Sequence, residues 1–129
     1  MIVKAVQFKK LDEQKLIEFL SKNDSVQLVP LKHYCGLRHV LHSVNQTLKA
    51  FSQGKNISKK KNVEFLLRFY GETQIKKVLK KNVLSDECIF VSFDGSELPF
   101  EFKEIEFPKV DSEIEKKAME KTGVFSLSI

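Results

Sequence analysis

The sequence predicts an α/β protein, α+β-like in the order of its elements: one domain with a small mixed or antiparallel sheet of roughly three to five strands packed with about five helices. Three observations predict this. Short apolar stretches with strand spacing stand at the N terminus and again near residue 90; helical spacing fills the middle; and the 129 residues contain no repeat, low-complexity tract or linker. A chain of this length buries about two-thirds of its unfolded surface. Its 42% hydrophobic and 30% charged residues suit a domain that folds alone.

Met1 to Phe8 alternates Ile2, Lys4 and Val6 against Val3, Ala5 and Phe8, with so little polar content that a largely covered strand is expected. Leu11 to Leu20 then spaces Leu16, Ile17 and Leu20 on one helical face. Val26 to Leu31 is a second short strand and Glu87 to Phe93 a third. Three helices stand between them. From Cys35 to Phe51 the apolar residues Leu37, Val40, Leu41, Val44, Leu48 and Phe51 form a stripe about 80° wide, which predicts the buried face. Gly54 closes that helix, and after the loop from Lys55 to Lys61 a helix covers Asn62 to Tyr70 until Gly71 stops it. The next begins near Thr73 as N-cap, with Ile75, Val78 and Leu79 inward and Lys76, Lys77, Lys80 and Lys81 outward.

Phe100 to Phe107 alternates but changes phase between Phe102 and Ile105, predicting a bulge or two short strands. Ser112 and Glu115 have capping-box spacing for a helix over about Asp111 to Lys121. Beyond Gly123 the residues Val124, Phe125, Ser126, Leu127, Ser128 and Ile129 alternate apolar with hydroxyl. Such a segment either joins the domain's own sheet or is kept for a partner.

Charge is unevenly spread. Between Lys49 and Lys81 stand ten basic residues against two acidic ones, Glu64 and Glu72, a local +8 in a chain of net +5, which leaves −3 for the remainder. A concentrated patch of one sign suits a polyanion, although a lysine run can also be no more than a solvated face. Lys59, Lys60 and Lys61 share one loop, Arg68 follows on the next helix, and Gly71 to Gln74 opens another, whose first amides would face an incoming phosphate. Tyr70, Phe69 or Ile75 would offer bases an apolar platform.

Cys35, His39 and His42 share the polar face of the long helix, which allows a metal site, a solvated face or an RNA contact. The set lacks a fourth ligand and an orienting carboxylate, and Arg38 and Lys49 stand beside it. No nucleophile motif, Walker loop or dinucleotide fingerprint is present, so no enzyme activity and no cofactor are expected. The two cysteines make no disulfide framework, and no apolar stretch is long enough for a membrane span. A reducing, cytoplasmic location is the expectation.

The ordered set Arg38-His39-Val40-Leu41-His42, Lys49-Ala50-Phe51, Gly54-Lys55-Asn56-Ile57, Val63-Glu64-Phe65-Leu66-Leu67 and Tyr70-Gly71-Glu72-Thr73-Gln74-Ile75 resembles the PRPK-binding protein family, the small subunits of the KEOPS complex. The resemblance runs from about Arg38 to Lys81, with compatible flanks. It implies a non-catalytic subunit that binds the kinase-like ATPase of KEOPS and recruits tRNA by its single-stranded 3′ CCA end for threonylcarbamoyladenosine formation. It also implies RNA contacts at Gly71, Gln74, Ile75 and His39 and at the lysines after Ile57, Lys59, Lys60 and Lys61, to which the charge pattern adds Arg68 and Lys76, and kinase contacts at Phe125, Leu127 and Ile129. Where the family pattern has arginine before the glutamine, this chain has Thr73. A general single-stranded RNA binder and a metal-dependent enzyme using Cys35, His39 and His42 are the alternatives.

Overall fold

The computed structural model describes the backbone of residues 1–127 and the side chains of residues 1–123. The elements run β1 (Ile2–Phe8), α1 (Glu13–Lys22), β2 (Val26–Pro30), a 3-10 turn (Leu31–His33), α2 (Leu37–Ser52), α3 (Lys61–Tyr70), α4 (Ile75–Lys81), β3 (Glu87–Ser92), β4 (Phe102–Ile105) and α5 (Ser112–Leu127). The result is of the α/β class, with five helices and one open four-stranded sheet in the order β2-β3-β1-β4, antiparallel at every pairing.

Strand alternation sorts the core into two layers. Ala5, Val29, Ile89 and Val91 point to the face covered by α2, α3 and α4, where Val40, Val44, Phe65, Leu67 and Val78 meet them. Val6, Phe8, Val26, Leu28, Cys88 and Phe90 point to the other face, closed by Leu16 and Leu20 of α1 with Leu84 and Leu98. Asp12 caps α1 by accepting the Lys15 N–H at 3.1 Å. Ile17, expected inward, is 53% exposed. Strand β2 lies at a sheet edge, yet the N–H of Leu28 goes to Gln27 Oε1 at 2.9 Å and its C=O accepts from Asn82 Nδ2 at 2.9 Å. The edge is thereby closed to pairing with another chain.

Helix α2 is rotated from the face its sequence predicts. The buried set is His39, Val40, Ser43, Val44, Thr47 and Ala50, whereas Leu37 and Leu48 are exposed. The reason is that α2 packs not only on the sheet but also on α3 and α5, so a wider arc is covered than one apolar stripe fills. Small hydroxyl side chains tolerate that burial by bonding to their own helix: Ser43 Oγ donates to the His39 carbonyl at 2.9 Å and Thr47 Oγ1 to the Ser43 carbonyl at 2.8 Å.

The C-terminal region departs furthest from expectation. Phe102–Ile105 is one strand, not two, and it pairs with β1 through Phe8↔Phe102 to Ala5↔Ile105. Ser112 and Glu115 form no capping box. Asp111 Oδ1 accepts the Glu113 N–H at 2.8 Å, while Glu115 reaches across to accept the Arg38 N–H at 3.1 Å and so caps α2. Gly36 precedes that end with φ 119°, and a Cβ there would overlap the Glu115 carboxylate, so only glycine fits. Helix α5 then continues past Gly123 to Leu127, which places the backbone of Phe125 and Leu127 in a helix and corrects the strand expected there. It is anchored by buried Thr122, whose Oγ1 donates to the Arg68 carbonyl at 3.2 Å. Ile129 lies outside the described residues. No helix among the described residues is long and apolar enough to cross a membrane.

Candidate nucleic-acid interface

Helices α1, α3 and α4 leave a groove of about 360 Å³ between them. Its floor is apolar, formed by Ile17, Leu20, Val63, Leu66, Leu79 and Leu84, and Lys60, Asn62 and Asn82 stand among them. Leu79 is 54% exposed, and Ile75, at 36%, lies one turn before it on the same face of α4. An open groove with an apolar floor and a few polar groups among it suits a ligand that presents flat apolar faces.

The basic loop borders this groove. Lys59 and Lys60 are exposed, and Lys60 Nζ donates to the Ser21 carbonyl at 3.0 Å, which carries its side chain to the end of α1. Lys61 is half-buried and goes elsewhere, over the rings of Phe51 at 5.7 Å and Phe93 at 5.9 Å. The loop backbone is held from below. Glu64 Oε1 accepts the N–H groups of Ile57 at 2.7 Å and Ser58 at 2.8 Å, and Glu64 Oε2 receives Arg68 Nε at 3.0 Å. Sequence spacing nominates Arg68 as an RNA contact, but its side chain is 4% exposed and paired with a fully buried Glu64, which removes it from the lysine surface.

Two further expectations are corrected. The N–H groups of Thr73 and Gln74 do not face outward as a phosphate cradle: Glu72 Oε1 accepts them at 2.9 Å and 3.2 Å. Those bonds, Gln74 first, pull the exposed Glu72 carboxyl below its ordinary value, so an anion at this turn would meet a carboxylate. Helix α4 starts at Ile75 with Gln74, not Thr73, at the N-cap. Gly71 does stop α3 as predicted, at φ 62° and with its N–H on the Arg68 carbonyl. Lys76 is exposed on α4, and Gln74 is exposed before it.

His39 is buried at 2% exposure, its ring tilted by 41° against Phe69 at 4.7 Å between centroids, and neither ring nitrogen makes a well-formed hydrogen bond. Burial lowers its pKa to about 4; the Phe69 backbone opposes the shift and His42 adds to it. It therefore stands in the core, not on an RNA-facing surface. The structure also separates the three ligands that spacing brings together. Cys35 Sγ donates to the His33 carbonyl at 3.4 Å, and His42 Nε2 accepts from Gln46 Nε2 at 3.2 Å. Among the described residues no group of three or more His, Cys, Asp or Glu side chains is placed to hold a metal ion. Burial raises the Cys88 thiol to about 11 and also raises Cys35, which disfavours the nucleophilic thiolate at both.

The α4 position is itself fixed by a short relay. Tyr70 Oη donates to Asn82 Oδ1 at 2.9 Å, so the 2.7 Å contact with His33 Nδ1 requires that nitrogen to carry the proton. Asn82 in turn bonds β2, which ties the end of α4 to the sheet edge beside the groove. A second cleft, of about 340 Å³, opens between α2 and α3 and is lined by Asn45, Lys49, Gln53 and Lys55 with one edge of Arg68.

The structure thus brings Lys60 to the groove, with exposed Lys59 next to it in the chain and Ile75 one turn from the lining. It leaves Lys61, Arg68 and His39 apart from it. Leu79, Val63 and Ile17 are groove residues that sequence reasoning assigned to packing; the i, i+4 pair Ile75 and Leu79 on a lysine-rich helix was the available signal. No protein-family model matches this chain, and no curated protein matches it.

Proposed function

We propose that this chain is a non-catalytic RNA-recruiting and protein-binding subunit, the role held by the small KEOPS subunits that its sequence resembles. It takes the single-stranded 3′ CCA end of tRNA in the groove between α1, α3 and α4, and it binds a kinase-like ATPase, with the C-terminal segment around Phe125, Leu127 and Ile129 as the nominated contact. The observation that carries the RNA reading is an exposed lysine, Lys60, set in the lining of an open apolar groove, with a second, Lys59, next to it in the chain. Lysines alone attract any phosphate backbone, whereas an apolar floor rewards only bases that have left a duplex. That combination favours a single-stranded end over a helix. Gln74 and Lys76 flank Ile75 in the chain and are exposed.

The test places a carboxylate on the floor, at Leu79, and one turn away from it, at Ile75. Ile75→Glu and Leu79→Glu each lower affinity for an RNA hairpin with a single-stranded CCA overhang by about tenfold or more, on the order of one lost base contact plus charge repulsion. Ile114→Glu, the same change at a residue 53% exposed on α5, leaves affinity within about twofold. Equal losses at all three positions would show a response to net charge alone and remove the groove from the account.

A further inference from the structure

We infer that the buried Glu64–Arg68 pair is a positioning device for the basic loop, holding Lys60 at the groove; this deepens the RNA reading above and rests on it. Residues 55–60 form neither helix nor strand, so their backbone groups need partners from outside regular structure. Glu64, in the first turn of α3, supplies them. One carboxylate oxygen accepts two successive N–H groups, of Ile57 at 2.7 Å and Ser58 at 2.8 Å. The other accepts from Arg68 Nε at 3.0 Å and lies in ion-pair contact with Nη2 at 3.0 Å, so the carboxylate is locked in place.

The order then passes along the chain. Asn56 Nδ2 donates to the Ser58 carbonyl at 2.9 Å, Ser58 Oγ accepts the Lys60 N–H at 3.1 Å, and Lys60 reaches the Ser21 carbonyl on α1. Ser58 is itself buried. A run of hydrogen bonds thus leads from an ion pair in the core to an ammonium at the groove edge. Packing alone does not require such a pair, because a buried ion pair is commonly replaceable by apolar residues of similar volume. An apolar pair, however, accepts no hydrogen bond from Ile57 or Ser58. The pair is also neutral in sum, so its effect on RNA comes through loop order and not through the field.

Three chains of equal net charge isolate that effect: the unaltered protein, Glu64→Leu/Arg68→Met, and Glu64→Gln/Arg68→Met. The glutamine keeps an acceptor for the two amides; the leucine removes it. With the CCA-overhang hairpin as probe, the Leu/Met chain is expected to bind about tenfold more weakly and to lose hydrogen-exchange protection at Ile57 and Ser58, because the loop must be ordered on binding. The Gln/Met chain is expected within about threefold of the unaltered protein. Ser58→Ala, which leaves the pair untouched, loses about threefold and decides the matter should the Leu/Met chain not fold. Unchanged affinity in the Leu/Met chain, or an equal loss in both double variants, overturns the inference while leaving the RNA reading intact. Absence of binding by the unaltered protein overturns both, and that lane tells the two failures apart.

Discussion

Glu64→Ala destabilises the folded protein by about 3–5 kcal/mol, the cost of removing a buried carboxylate that a guanidinium and two loop amides share. Arg68 is 3% exposed and Glu64 fully buried, so water cannot take over the lost partner without opening the contacts among α2, α3 and α5. The same substitution removes the acceptor for Ile57 and Ser58, and the two effects add in one variant. Denaturant unfolding monitored by far-ultraviolet circular dichroism measures it, and the thermal midpoint is expected to fall by on the order of 10–20 °C. Glu64→Gln/Arg68→Met, which strands no charge, loses far less. A loss below about 1 kcal/mol for Glu64→Ala would mean that the pair is hydrated in solution, and the clamp would lose its basis.

His39 sets the second large effect. Its imidazole titrates at about 4 in the folded protein because burial disfavours the cation, whereas in the unfolded chain it titrates near 6.5. The folded-state value is depressed, so between pH 6.5 and 4 the unfolded state binds a proton that the folded state refuses, and stability falls as the pH falls through that window. The slope is about 1.4 kcal/mol per pH unit, and above pH 6.5 the group contributes no pH dependence. His39→Gln removes this component, and the difference between the two stability–pH curves isolates it from the carboxylates. His33, also lowered by burial and by Lys32 and Lys81, remains in both proteins and cancels. Parallel curves between pH 6.5 and 4 would mean that the ring is protonated in the fold.

How far the sequence carried the description depends on which forces were local. Strands and helices came out in order because period and punctuation are local: Gly54 and Gly71 end helices at φ 67° and 62°, and Val26, Leu28 and Phe90 alternate with Val29 and Ile89 across the sheet. The facing of α2 was not legible. Its polar side is covered by α3 and α5, and nothing in the pattern tells that Ser43 and Thr47 will satisfy themselves on their own helix. Arg68 failed as a surface residue for a related reason. Its partner Glu64 stands at i−4, a spacing that reads equally as an exposed pair on a helix and as a buried one. The cradle expected at Thr73 and Gln74 failed because Glu72, counted only in the charge balance of the basic segment, folds back on those amides. Gly123 misled by composition: buried Thr122 holds α5 to α3 and carries the helix through it.

The central claim is recognition of a single-stranded 3′ end at the groove edged by Lys60, and the most direct measurement is competition between two otherwise identical tRNAs, one intact and one trimmed of its terminal CCA, at fixed moderate salt. Trimming removes three phosphates from a polyanion of many tens, so a surface that follows charge alone scarcely responds. The account predicts that the trimmed tRNA competes about tenfold less well or worse, and that the difference disappears in Leu79→Glu. Equal competition by the two tRNAs would contradict it and leave the lysines as a basic surface without end recognition.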